Sequence, residues 1–315
     1  MFRLNLKLGA TALMAGLCLA SPCSLKAQAS APSPQANVQP SITPFPSPKP
    51  PPFPLSAAPG LLPDADKAPA PPAYLKQTIP DIYSATPVLK CPSVDSRSWR
   101  TWQDVGKTMR NAPTCSMYQN WRQETDPKLQ PATVAIAHDH DKLIVYAELV
   151  DNDIFNSQKK DGEPLYLRGD ELEVLLIGEK EQEYIEHQIS PDNYILQLQY
   201  PNRHTMYEID AETIPDWEIR FAGHIPIQSQ TLVQPELKLW RVLVIMPLAK
   251  ISPNMKGKNG EKWRFSFARV DTTQGERRAT LSATSAYEPH PWRWAPHTYP
   301  NFHDIYSWGS FTLVP

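Results

Sequence analysis

Apolar and polar residues alternate one by one through Trp263-Arg264-Phe265-Ser266-Phe267-Ala268-Arg269-Val270. In an extended chain this puts the aromatic rings on one side and most of the polar groups on the other. Shorter runs of the same kind occupy residues 133–137, 143–150, 171–177, 184–189, 194–200, 217–221, 239–245 and 310–314. The first two flank His138-Asp139-His140-Asp141-Lys142 and predict a hairpin. Helical periodicity is nowhere sustained, although residues 99–109 have room for a short turn or two. About nine strands at this spacing over roughly 180 residues predict an all-β fold, an antiparallel β-sandwich of jelly-roll or immunoglobulin-like kind. A closed barrel is the alternative that alternation does not separate from it.

Composition divides the 315 residues into unequal parts. Of the 35 prolines, 16 fall between Ala31 and Pro80, while all nine tryptophans lie between Trp99 and Trp308. Proline lacks the amide donor and clashes with a preceding helical turn, so residues 30–84 predict a Pro-rich, disordered spacer. Its expected state is polyproline II, at about 3.1 Å per residue. Residues 1–29 read as a secretory signal peptide. Arg3 and Lys7 supply the positive start, an apolar run follows, and Ala27-Gln28-Ala29 has the small-x-small cleavage pattern. That run of about 13 residues falls short of the ~20 a bilayer span requires, so the mature chain is expected to have no transmembrane segment. Residues 85–315 are left as one domain, secreted, periplasmic or otherwise in the cell envelope.

Cleavage removes Cys18 and Cys23 and leaves Cys91 and Cys115, which in an exported chain predict a disulfide. With 31 Lys and Arg against 33 Asp and Glu and no basic stripe, nucleic acid is not an expected partner.

Catalytic signatures are sparse. The chain has no Gly-x-Ser-x-Gly elbow, no phosphate-cradling glycine loop and no His-Glu-x-x-His. Asp170, Glu171 and Glu173 open one strand, but Asp170 and Glu173 are three apart and face opposite sides of a sheet. They are expected to order a loop rather than flank a glycosidic bond, and no residue is assigned a catalytic role. Asp151-Asn152-Asp153, with Asp161 and Glu163 downstream, is an oxygen-rich loop suited to a structural calcium held by Asp151 and Asp153. Beyond that candidate ion no cofactor is expected. Near the C-terminus Tyr287, Trp292, Trp294, Tyr299 and Phe302 are interrupted by four prolines, which is loop composition. Flat rings on a loop, beside hydrogen-bonding side chains, suit the apolar face and hydroxyls of a sugar; their alternative use is to plug the end of the sandwich.

The order of these segments resembles the family 9 carbohydrate-binding modules and their broader DOMON-like β-sandwich relatives. The resemblance runs through the hairpin of residues 134–151, Gly169-Asp170-Glu171-Leu172-Glu173-Val174 and Tyr184-Ile185-Glu186-His187-Gln188-Ile189-Ser190-Pro191. It continues through Trp240-Arg241-Val242, Trp263-Arg264-Phe265, Trp294-Ala295-Pro296, Asn301-Phe302-His303-Asp304 and Trp308-Gly309. It implies sugar binding by two aromatic walls that clamp a ring. Trp294 matches one wall. The other is usually a Trp shortly before the Asp-x-x-Glu strand, and here that position holds Leu167 with Tyr166 beside it. A one-residue shift of the loop gives Tyr166 the role; without it the clamp is one-sided.

The expected function is non-catalytic binding of an oligo- or polysaccharide by a monomer. Tyr166 and Trp294 would stack the sugar, with Arg168, Trp292 and His303 around it. The alternatives are a haem- or redox-associated relative, with Met246 as the candidate ligand, or a structural envelope protein without a sugar site.

Overall fold

The computed structural model describes residues 86–122, 125–166, 168–203, 221–276, 279–285 and 302–315. The signal peptide and the spacer lie outside the described residues, as do Leu167, residues 217–220 of the strand expected at 217–221, Trp292 and Trp294. The described chain is an all-β sandwich of two sheets.

The larger sheet runs β1 (Val88–Cys91), β12 (Gly309–Leu313), β10 (Lys262–Asp271), β5 (Glu171–Gly178), β6 (Tyr184–Ile189), β7 (Ile195–Tyr200). β11 (Thr280–Ala283) pairs with the C-terminal half of β10, along the edge whose other half takes β12. The smaller sheet runs β2 (Thr114–Ser116), β3 (Ala132–Asp139), β4 (Lys142–Val150), β9 (Leu239–Pro247), β8 (Gln228–Gln234). All these pairings are antiparallel except β1 on β12, which is parallel. The expected hairpin forms with a two-residue turn, His140 and Asp141, in which His140 takes the left-handed conformation at φ 52°.

The strands are buried more completely than one-sided alternation implies. β3 and β5 are buried from end to end, and β4 and β9 nearly so. The reason is that both outer faces are covered. Between the sheets pack Val134, Val145, Leu172, Val174, Trp240, Trp263 and Phe265. Outside the smaller sheet lies α1 (Trp102–Met109), which buries Trp102, Val105 and Met109 against Ile144, Tyr146 and Leu243. Each large side chain so buried contributes roughly 1.5–3 kcal/mol. A capping box starts this helix: the Thr101 hydroxyl accepts from the Asp104 amide, and the Asp104 carboxylate accepts from the Thr101 amide. A second short helix, α2 (Leu248–Ile251), follows β9. Outside the larger sheet a second apolar cluster gathers Leu175, Ile177, Tyr184, Tyr200, Trp121 and Trp308. Strands covered on both sides need apolar residues at consecutive positions, as in Leu243-Val244-Ile245-Met246.

The expected disulfide is not formed: Cys91 and Cys115 are free thiols. They sit on edge strands of different sheets, and both turn into the central core as small apolar groups. Cys115 Sγ donates to the Val134 carbonyl at 3.6 Å. Burial pushes both thiols up, that of Cys115 to about 12, so they stay protonated.

Candidate functional site

Strand alternation assigns Glu171, Glu173, Leu175 and Ile177 of β5 to the outer side of the larger sheet, since Leu172, Val174 and Leu176 belong to the central core. Register extends the face. Glu173 lies opposite Ala268 of β10 and Gln188 of β6, and Gln188 lies opposite Leu196 of β7. One row along, Leu175 lies between Ser266 and Glu186. Three carboxyl groups and an amide therefore share a small area of sheet, and all are buried.

A hydrogen-bond chain crosses this area. The Leu165 amide donates to Gln188 Oε1 at 3.2 Å, and Gln188 Nε2 donates to Glu186 Oε1 at 2.7 Å. The Tyr200 hydroxyl donates to Glu186 Oε2 at 2.7 Å, and His303 Nε2 lies 3.7 Å from the same oxygen. His303 Nδ1 is 3.1 Å from the Tyr184 hydroxyl. Tyr184 and Tyr200 stack at 4.5 Å between ring centres, and Trp308 meets Tyr184 edge-on at 5.7 Å. The chain thus connects the loop before β5, which carries Tyr166, to the segment that returns at Phe302.

Glu171 is the exception to this satisfied network. It is fully buried, and no amide, hydroxyl or cationic group reaches its oxygens among the described residues; its hydrogen-bond partner is the Glu173 carboxyl. The Glu173 carboxyl, two residues on and on the same side, faces it. Burial, reinforced by Glu173, raises the Glu171 carboxyl well above its ordinary range; burial and Glu186 push Glu173 up to about 8. Burial lowers His303, with Glu186 opposing the shift.

The residues expected from sequence separate into groups. His303 joins the network. Tyr166 is half-buried and Arg168 exposed, both in the loop whose Leu165 amide reaches Gln188. The stretch carrying Trp292 and Trp294 lies outside the described residues; it leaves from Ser285 and returns at Phe302. Asn120 Nδ2 donates to the Ser285 carbonyl, and Trp121 meets Phe302 edge-on at 6.0 Å. Asp170 points the other way from Glu173. Its Oδ2 accepts from the Phe155 amide at 2.7 Å and its Oδ1 from the Thr272 amide at 2.8 Å. Met246 is buried in the central core.

For the calcium candidate, the structure groups different oxygens from those expected. Asp151 lies with Asp170 and Asp271, oxygens within 4.8 Å of one another, whereas Asp153 turns aside to accept from the Gln274 amide. These three buried aspartates are the residues that could hold a cation. Arg269 already enters the group, with Nη2 2.9 Å from Asp151 and 3.1 Å from Asp271, and Nη1 donating to the Val150 carbonyl. Burial, with Asp151 adding, pushes Asp170 up to about 8; Asp271 rises to about 6 by burial, opposed by Arg269.

The sequence reading missed Glu171, Tyr184, Glu186, Gln188 and Tyr200 as members of one site. The available signal was the alternation in Tyr184-Ile185-Glu186-His187-Gln188-Ile189, which sets Tyr, Glu and Gln on one side of a strand. No family model matches the chain, and no curated protein matches its sequence. Among solved structures, a candidate carbohydrate-binding protein from Bacteroides uniformis superposes with TM-score 0.52 at 9% identity, covering 73% of this chain and 100% of its own. A family 9 carbohydrate-binding module from Caldicellulosiruptor kristjanssonii in complex with cellotriose gives TM-score 0.42 at 15% identity, over 65% of this chain and 84% of its own. The same organism's module with glucose gives 0.41 at 14%, over 66% and 86%. What the Bacteroides uniformis superposition establishes for the chain is its fold.

Proposed function

We propose that this domain binds carbohydrate on the outer side of the larger sheet, as a distant relative of the family 9 modules, and does no chemistry on it. The observation that carries the reading is the Gln188–Glu186–His303 network, which ties the Tyr166 loop to the segment returning at Phe302. Carboxylates and amides that share a face beneath aromatic residues are suited to sugar hydroxyls, and rings at the rim to the sugar's apolar side. The Bacteroides uniformis structure with the same fold is itself described as a candidate carbohydrate-binding protein, which supports the reading. Trp294 and Tyr166 supply the stacking walls, with Trp292 and Arg168 beside them. The chain is exported by its first 29 residues and held away from its anchor by the proline-rich spacer. With one or two stacks and few hydrogen bonds, affinity falls between micromolar and millimolar, about −4 to −8 kcal/mol.

The test is retention on insoluble polysaccharides and a glycan array, with Trp294→Ala beside the natural chain. Retention that Trp294→Ala abolishes at an unchanged melting temperature supports the reading. An array without hits, or an equal loss of binding and stability, overturns it.

A further inference from the structure

The larger sheet ends at β1 in an edge that no strand among the described residues covers. β1 runs parallel to β12, and the carbonyls of Pro87 and Cys91 accept from the Ser310 and Val314 amides. Strand alternation then turns the amides and carbonyls of Val88 and Lys90 away from β12. Val88 is 79% exposed. An open edge recruits a further strand, and natural folds cover such edges. Past the far end of β1, a groove of about 600 Å³ lies between Pro92 and Val94 on one side and α1 on the other. Trp99 and Ala112 add apolar surface to it, and the exposed Lys107 and Asn111 border it.

The segment just before β1 has the composition and the reach to fill both. Of the 16 prolines between Ala31 and Pro80, 15 precede Ala73. Residues 74–83 contain only Pro80, with Tyr74, Leu75, Ile79, Ile82 and Tyr83 as five large apolar side chains in ten residues. Such a run gains by leaving water, which a solvated spacer does not let it do. The described chain begins at Thr86. From Val88 to Val94 it advances at most about 20 Å, whereas ten extended residues span about 33 Å. Covalent attachment also gives this segment a local concentration that a separate partner must exceed. We propose that residues 74–83 return antiparallel along the free edge of β1 and seat Leu75 and Ile79, which share one side of an extended chain, in the groove beside α1. The tether then leaves the domain beside the smaller sheet, opposite the proposed sugar face, and neither proposal depends on the other.

Trypsin applied to the natively folded chain from Ser30 onward compares two bonds, Lys67–Ala68 and Lys76–Gln77, by mass spectrometry. Each rate is divided by that in a synthetic peptide of residues 60–85. So normalised, Lys76–Gln77 is expected to be cut at least about tenfold more slowly than Lys67–Ala68. In Ile79→Asp the two bonds should be cut within about twofold of each other, with circular dichroism confirming that the variant folds. A photoreactive p-benzoylphenylalanine in place of Leu75 should crosslink within its own chain to residues 92–112. Equal normalised rates, protection that Ile79→Asp leaves unchanged, a crosslink elsewhere in the chain, or none, overturns the proposal. Crosslinks or protection that appear only as protein concentration rises assign the groove to a second copy and overturn it as well. Neither readout involves sugar, so either result leaves the sugar site as it stands.

Discussion

Gln188 donates to Glu186 at 2.7 Å while its own oxygen accepts the Leu165 amide, so one buried side chain holds two separate elements at fixed positions. Replacing it with leucine leaves the Leu165 amide and one Glu186 oxygen without these partners. A buried polar group left unmade costs about 1–3 kcal/mol. Gln188→Leu is expected to lose stability in that range by urea denaturation and to weaken sugar retention as the Tyr166 loop loses its anchor.

The outer-face carboxyls also set the sign of the pH dependence. Folded-state values raised above the unfolded ones mean that the native state binds more protons than the unfolded state, so stability falls as pH rises. Glu173 and Asp170 sit at about 8, and Glu171 is also raised well above its ordinary value. His187, lowered to about 3, and His303, also lowered, act in the opposite direction, but only below their unfolded value near 6.5. The window from about pH 6.5 to 8 therefore belongs to the acids, with a loss of about 1.4 kcal/mol per pH unit for each group still protonated. Urea midpoints measured at pH 6.5, 7.2 and 8.0 should fall in that order. Glu173→Gln should flatten the trend, and midpoints that rise with pH would contradict it.

Arg269 pairs with both Asp151 and Asp271 inside the fold. Removing one partner of a buried ion pair costs about 3–5 kcal/mol because the remaining charge stays buried. Arg269→Met is expected to be destabilised by that amount. Because the guanidinium already occupies the space among the three carboxylates, adding calcium to chelator-treated natural protein should move the melting temperature by under about 1 °C. Coupling of a tightly bound cation would move it by several degrees. A large shift would return this group to the metal ligands.

Cys91 and Cys115 face the core as protonated thiols. A thiol reagent is expected to leave both unmodified in the native protein and to titrate both after denaturation. Rapid native labelling of Cys91 would contradict its burial, and that of Cys115 its inward orientation.

Gly169, at φ 147°, is the one glycine in the loop before β5 whose absent side chain decides the packing. A Cβ there would lie 2.4 Å from the Phe155 carbonyl oxygen. Gly169→Ala is expected to destabilise the domain measurably in thermal melts and to disturb the Asn156–Gly169 bridge.

The sandwich was legible because period-two runs are local. β6 and β10 stand within a residue of the expected 184–189 and 263–270. Missed were β1, β2, β8 and β11. Thr114–Ser116 is three residues long, and Gln-Ser-Gln-Thr-Leu-Val-Gln in β8 is mostly polar. Such edge segments become strands through a distant partner's hydrogen bonds rather than their own composition. The thiols illustrate the same limit: two cysteines left in an exported chain predicted a bond, whereas strand order placed Cys91 and Cys115 at the edges of different sheets. Alternation also tells that Tyr184, Glu186 and Gln188 share one side of a strand. It does not say whether that side meets water, the other sheet or a returning loop. That was decided in three dimensions, where β5, β6 and β7 align in register and Phe302, His303 and Trp308 pack over them. A side chain's neighbours along the strand are set by covalent geometry, its neighbours across the sheet by strand register, and the groups above it can come from more than a hundred residues away, as His303 does for Tyr184.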